Sequence, residues 1–158
     1  MTVKMDTIPQ VLTSKPSVLV VDDEPSVRCL LAVLLEGYGY RAMLAADGVE
    51  ARDAIETAEV ALILCDVHLR GESGLTLVQD LLRQSPRTVA LMMSGDGVPD
   101  QAHGALDEGI YGHIAKPFDL KDVGNRIAQA LCGRCLGGAP VQREDTFPWQ
   151  RRREFTNA

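Results

Sequence analysis

Three aspartates, a serine and a lysine have the types and the spacing for metal and phosphate chemistry. Each of them ends or follows a short apolar run: Asp22, Asp23, Asp66, Ser94 and Lys116. The carboxyl ends of parallel strands lie along one edge of a sheet, where ligands bind at the point at which the strand order reverses. We therefore expect these five side chains to converge. An aspartate after a strand can also be the N-cap of the next helix, but that alternative explains one carboxylate at a time.

Convergence of the three carboxylates would require a cation. Like charges within about 4–6 Å of one another repel, and oxygen ligands without nearby Cys or His suit Mg²⁺ or Mn²⁺ rather than zinc. Such a cation typically completes its shell with water and phosphate oxygens. One carboxylate would then act as a nucleophile. Asp66 is the best candidate because it stands alone on the central strand, whereas the adjacent Asp22 and Asp23 suit metal binding.

The elements that must position these side chains alternate along the chain, as in βαβ units. The apolar patterns predict strands at 17–23, 41–46, 61–67, 88–95 and 112–117, and helices at 25–37, 49–55, 74–84, 99–108 and 119–132. Nearly continuous apolar runs in the first, third and fourth strands imply burial on both faces of the sheet. The predicted fold is α/β, with a doubly wound, five-stranded parallel sheet between two helical layers.

Composition and charge limit the function classes. The 158 residues suit one globular domain, and no apolar run approaches the roughly 18 residues of a membrane span. The N-terminus also lacks the features of a signal peptide, so we expect a cytoplasmic protein without a membrane partner. A net charge of −6 argues against direct DNA binding.

Four cysteines are too few and too scattered for a disulfide scaffold. Cys29 and Cys65 lie inside apolar runs and are interpreted as core residues.

Four motifs together carry a family resemblance. In chain order they are VDDE (21–24), LCDVHLRGESG (64–74), MMSGDG (92–97) and HIAKPF (113–118). The set resembles the receiver domain of two-component response regulators, close to the single-domain chemotaxis type. The resemblance implies a flavodoxin-like sheet of strand order 2-1-3-4-5 in a receiver domain at 17–132. Residues 1–16 are expected to form a flexible N-terminal segment, and residues 133–158 a disordered tail.

The resemblance also implies a phosphoacceptor site. Asp66 would accept a phosphoryl group from a histidine kinase or a histidine phosphotransfer protein, with Mg²⁺ or Mn²⁺ bound. By position, Asp23 and Asp66 would be direct metal ligands, Asp22 would assist through water, and the backbone carbonyl of His68 would be a further ligand. The protein would not be an enzyme in the usual sense, because it would catalyse only its own phosphorylation and dephosphorylation.

A switch is implied by the same motifs. Ser94 matches the hydroxyl that moves toward the phosphoryl group, and Lys116 matches the lysine that contacts it, next to a commonly cis bond to Pro117. The shift would change the surface of the fourth and fifth strand–helix units, where an unidentified target protein or a second copy would bind. His113 stands where Tyr or Phe usually acts as a rotameric switch. We expect it to be a surface histidine, with a pH-sensitive output as the alternative.

Other residues depart from the pattern or lie outside it. Arg70 stands where a proline is frequent in the family, and His68 and Asp96 match positions that influence phosphoryl hydrolysis. The CGRC pair (132–135) has the spacing of redox sites, but it ends a helix instead of opening one. The arginines at 151–153 suit an acidic partner or nucleic acid, although a disordered tail is favoured.

Two rival functions differ in class. A pseudo-receiver would be an interaction module that no longer cycles phosphate, and the intact set of five site residues argues against it. The second rival function is an enzyme that shares the doubly wound α/β fold. An aspartate-nucleophile phosphatase would carry Asp-x-Asp after the first strand, and a flavin protein would carry a hydroxyl-rich phosphate loop. The segment DDEPS (22–26) fits neither.

Overall fold

A computed structural model describes residues 15–95 and 109–135, with side chains as far as residue 132. The strands in these ranges are β1 (Ser17–Val21), β2 (Arg41–Ala45), β3 (Leu62–Asp66), β4 (His68–Leu69), β5 (Glu72–Ser73), β6 (Val89–Ser94) and β7 (Ile110–Ala115), and the helices are α1 (Pro25–Gly37), α2 (Gly48–Thr57), α3 (Gly74–Gln84) and α4 (Leu120–Cys135). The helix predicted at 99–108 lies outside the described residues, as do nearly all of the N-terminal segment and the tail beyond α4. Within the described ranges, no helix is long and apolar enough to cross a membrane.

The main sheet has five parallel strands in the order β2-β1-β3-β6-β7. Leaving out the short β4–β5 hairpin, this is the predicted order 2-1-3-4-5, so the doubly wound fold is confirmed. The chain moves outward from β1 to β2 and returns to the other side of β1 to form β3. The strand order therefore reverses between β1 and β3, which is where ligands bind in open α/β sheets.

The two faces of β3 explain the three-layer architecture. All five residues of this strand are buried, and successive side chains point to opposite faces. Ile63 and Cys65 belong to a core cluster that includes residues of α2 and α3, whereas Leu62 and Leu64 belong to a cluster that includes residues of α1 and α4. Helices thus cover both sides of the sheet, as the continuous apolar runs predicted.

The two cysteine predictions have different outcomes. Cys65 is fully buried in β3, as predicted, and burial raises the pKa of its thiol. Cys29 is exposed, so its interpretation as a core residue is wrong. The buried residues of α1 are Leu31 and Leu35, one helical turn apart. Cys29 lies two positions before Leu31, which turns its side chain to the opposite face of the helix.

An unpredicted β-hairpin follows β3. β4 pairs antiparallel with β5 and places Leu69 opposite Glu72, so that Arg70 and Gly71 form the turn. Gly71 has a φ of 86°, which suits the second central position of a type II turn, and proline is common at the first. Arg70 occupies that first position. The hairpin then leads directly into α3 at Gly74.

Gly74 is packed against the backbone of β3. Its N–H donates a 2.9 Å hydrogen bond to the carbonyl oxygen of Val67. A Cβ at this position would meet the carbonyl oxygen of Asp66 and would lie 2.8 Å from its carbonyl carbon. The absence of a side chain therefore lets α3 begin against the residue that ends the central strand.

We expect Gly74→Ala to destabilise the protein by about 1–3 kcal/mol, because backbone atoms must shift to accommodate the added methyl group. Gly37→Ala is the matched control, since no atom lies within 4 Å of a Cβ there. In α1 the control change should be neutral or stabilising by up to about 1 kcal/mol. Urea unfolding followed by circular dichroism measures both. Equal stability of the Gly74→Ala variant and the wild type would contradict the close contact.

Candidate functional site

Three carboxylates meet at the point where the strand order reverses. Asp22 and Asp23 follow β1 directly, and Asp66 ends the neighbouring strand β3. One carboxylate oxygen from each residue lies within 4.8 Å of the others. Asp22 is fully buried, Asp66 is 7% exposed and Asp23 is partly exposed. The predicted convergence of the three aspartates is therefore confirmed.

Lys116 bridges two of these carboxylates. Its Nζ lies 2.7 Å from Oδ2 of Asp22 and 3.0 Å from Oδ2 of Asp66. Burial alone would lower the pKa of Lys116, but the hydrogen bonds to both aspartates outweigh that effect and raise it above its ordinary value. The lysine is therefore a fixed positive charge between Asp22 and Asp66. The Lys116–Pro117 peptide is cis, as the resemblance implied.

Backbone hydrogen bonds fix the orientation of the two buried carboxylates. The N–H of Glu24 donates to Oδ1 of Asp22 at 2.9 Å, and the N–H of His68 donates to Oδ1 of Asp66 at 3.1 Å. The carbonyl oxygen of Asp22 accepts a 2.6 Å hydrogen bond from Nη1 of Arg28. Arg28 was not predicted as a site residue, because no motif or spacing distinguishes it from other charged residues of an amphipathic helix.

A second cation lies at the rim of the carboxylate cluster. Nε of Arg70 is 3.6 Å from Oδ2 of Asp23, and the arginine side chain is 91% exposed. In the sequence Arg70 is only a departure from the family pattern, and its ion pair with Asp23 was not predicted. Between them, Lys116 and Arg70 form ion pairs with all three carboxylates.

The residues of this cluster fit a hard divalent cation. Among the described residues, the cluster consists of Asp22, Asp23 and Asp66 and contributes only carboxylate oxygens, the ligands that Mg²⁺ and Mn²⁺ prefer. Two of the carboxylates are buried and face a lysine ammonium, which shows that this location stabilises positive charge. His68 adjoins the site through its N–H, and the role of its carbonyl as a ligand stays a prediction.

Ser94 lies at the same edge of the sheet. It ends β6, is 1% exposed and pairs in register with Ala115 of β7. Its carbonyl oxygen accepts a 2.9 Å hydrogen bond from the N–H of Lys116. The five predicted site residues therefore occupy one strand edge, although the switching role of the Ser94 hydroxyl stays a prediction. Asp96 lies outside the described residues.

His113 is not at the surface. The residue is 5% exposed, so the prediction of a surface histidine is wrong. Its register partner is Met92 of β6, a fully buried residue of the cluster that includes α2 and α3 side chains. Paired residues of neighbouring strands point to the same face of a sheet. His113 therefore lies on a covered face, which the sequence did not reveal because β7 is not uniformly apolar.

The CGRC pair lies at the end of α4, as predicted. The helix extends to Cys135, and Cys132 is an exposed free cysteine. The side chain of Cys135 lies outside the described residues, as do the arginines of the tail. Redox pairs open a helix after a strand, so the position of this pair does not match that arrangement.

Comparisons with known proteins agree with this geometry. The family model of the response regulator receiver domain matches residues 18–128. Transcriptional regulatory protein ZraR of Klebsiella oxytoca is 31% identical over 124 residues, covering 78% of this chain and 28% of that protein. Nitrogen assimilation regulatory protein NtrX of Azorhizobium caulinodans is 38% identical over 104 residues, covering 65% of this chain and 23% of that protein. The chain thus spans about a quarter of the length of these two relatives.

A solved structure matches over most of the chain. The CheY-like response regulator receiver domain protein of Methanospirillum hungatei superposes with a TM-score of 0.74 at 26% identity, and the match covers 79% of this chain and 100% of that one. The family-model match, over residues 18–128, includes the strands that carry the three aspartates. The chain belongs to the response regulator receiver domain family of two-component systems.

Proposed function

We propose that this chain is a phosphoacceptor whose Asp66 receives a phosphoryl group from a phosphohistidine. The observation that carries the proposal is the convergence of Asp66 with Asp22, Asp23 and Lys116 at the switch point of the sheet. The donor is a histidine kinase or a histidine phosphotransfer protein, in keeping with the family. The protein acts as a signalling switch, most simply in the cytoplasm, and catalyses only its own phosphorylation and dephosphorylation.

The transfer asks the protein for positioning and charge neutralisation. A carboxylate oxygen of Asp66 attacks phosphorus, a new O–P bond forms, and the N–P bond breaks with its electron pair left on the imidazole nitrogen of the donor. Bound Mg²⁺ or Mn²⁺ supplies positive charge that stabilises the phosphoryl oxygens. Asp23 and Asp66 would hold the ion directly, with Asp22 acting through water and the His68 carbonyl as a further ligand.

Two residues of the edge then respond to the new charge. Lys116 exchanges its contact with Oδ2 of Asp66 for a phosphoryl oxygen, and the Ser94 hydroxyl donates to another. Both interactions exist only in the phosphorylated state, so they favour one of two conformations of β6, β7 and the segments that follow them. The N–H of Lys116 and the carbonyl of Ser94 already link the two strand ends at 2.9 Å. A partner protein binds the altered surface.

Direct DNA binding is not part of this proposal. Several relatives are transcriptional regulators by name, but this chain spans only a fraction of their length. A net charge of −6 opposes contact with the phosphate backbone. We therefore assign the surface that changes on phosphorylation to binding of a target protein. The alternative is that two copies of this chain bind each other through that surface.

Phosphorylation is tested by incubating the wild type with acetyl phosphate and Mg²⁺. We expect intact-mass analysis to show one added phosphoryl group, and Asp66→Asn to abolish it because the amide is not a nucleophile for this step. Asp53→Asn is the matched control, since Asp53 is an exposed aspartate of α2, and it should be labelled like the wild type. If the wild type is never labelled, even by a kinase, the chain is a pseudo-receiver.

The lysine bridge predicts a metal-dependent stability. Lys116→Met should lower the free energy of unfolding of the metal-free protein by about 2–3 kcal/mol, because two largely buried carboxylates lose their cation. Saturating Mg²⁺ should reduce that deficit by supplying another cation. Lys121→Met is the control, as Lys121 is exposed on α4. Urea unfolding with and without Mg²⁺ measures the difference, and a deficit that Mg²⁺ leaves unchanged would contradict the neutralising role of the site.

A further inference from the structure

Arg70 is the cation that this chain places on the open side of the carboxylate cluster. It occupies the turn of the β4–β5 hairpin, only four residues after Asp66, and its Nε is 3.6 Å from Oδ2 of Asp23. Lys116 forms ion pairs with Asp22 and Asp66 on the buried side of the cluster. Within the described residues, Asp23 thus pairs with Arg70, whose side chain is 91% exposed to solvent.

The hairpin that carries Arg70 is attached to the body of the domain at its base. Leu69 is buried in the core cluster beside α2 and α3. Its partner Glu72 accepts hydrogen bonds from Nη1 and Nη2 of Arg52, at 3.4 and 3.2 Å. A Cβ at Gly48 would meet the Glu72 carboxylate, so the start of α2 also lies against the hairpin. These contacts keep the turn next to the site.

A tethered cation and a divalent ion cannot both neutralise Asp23 without repelling each other. We propose that Arg70 competes with the divalent ion for Asp23 and thereby lowers the metal affinity of this site, most strongly at low ionic strength. The proposal rests on the proposed function, because it assigns Asp23 as a metal ligand. The position often holds an uncharged proline in the resembling family, so this competition would be a property of the present chain.

The exposure of Arg70 limits the size of the effect. Exposed ion pairs are weak, and salt screens them. Removing the arginine charge should therefore tighten Mg²⁺ binding by about two- to fivefold at low salt. The gain should fade as the ionic strength approaches roughly 1 M, where the Debye length is about 3 Å. The buried contacts of Lys116 should respond less to salt, because solvent ions do not reach them as readily.

The test is a calorimetric titration of the full chain with MgCl₂, in the absence of a phosphodonor. Arg70→Gln removes the charge, and Arg70→Lys retains it. Arg83→Gln is the matched control, because Arg83 on α3 is also an exposed arginine, with its Nη1 3.2 Å from Oδ1 of Asp80. The control removes the same net charge elsewhere on the domain. Each protein is titrated at low salt and again at high salt.

We expect Arg70→Gln to bind Mg²⁺ about two- to fivefold more tightly than the wild type at low salt, while Arg70→Lys and Arg83→Gln remain close to it. At high salt the four affinities should converge. Equal low-salt affinities of Arg70→Gln and Arg83→Gln would overturn the competition. If Mg²⁺ binds and Asp66 is phosphorylated but the Arg70 variants do not differ, only this inference fails. If neither the wild type nor any variant binds Mg²⁺, both this inference and the proposed metal site are wrong.

Discussion

The site depends on holding three negative charges at one edge of a sheet. Asp22 and Asp66 are almost completely buried, and such carboxylates would repel each other without a cation between them. Lys116 supplies that cation from the position directly after β7, the strand two places from β3 in the sheet order. The strand order is thus an electrostatic requirement as well as a topological one.

The backbone around Asp66 is held from several directions. The N–H of Val67 donates to the carbonyl of Met93 at 2.9 Å, which ties the end of β3 to β6. The N–H of His68 holds one carboxylate oxygen, and Gly74 brings the start of α3 against the carbonyl of Asp66. The proposed phosphoacceptor role would benefit from these contacts, because the attacking oxygen must be in place before the donor arrives.

The fold could be predicted from the sequence wherever the pattern of apolar residues along one element determines its burial. The apolar runs of β1 and β3 predicted buried strands, and their ends placed Asp22 and Asp66 at a common edge. The burial of a residue could not be predicted where it depends on contacts between elements that are distant in sequence. His113 is buried because the β6–β7 register places it beside Met92, and that register includes an irregularity between Ala90 and Leu91 that no local pattern indicates. Cys29 is different, because the helical phase of Leu31 and Leu35 would have been sufficient to place it at the surface.

The buried position of His113 restricts how a signal could leave the site. Ser94 pairs with Ala115, and Met92 pairs with His113, so Ser94 and His113 lie on the same face of neighbouring strands. A surface ring that swings inward on phosphorylation is the usual expectation at this position, but here the imidazole is already inside. Transmission would then depend on the strand ends themselves, through the 2.9 Å hydrogen bond from Lys116 to the Ser94 carbonyl. Because β6 and β7 are paired along their length, a displacement of one strand end would be passed to the other.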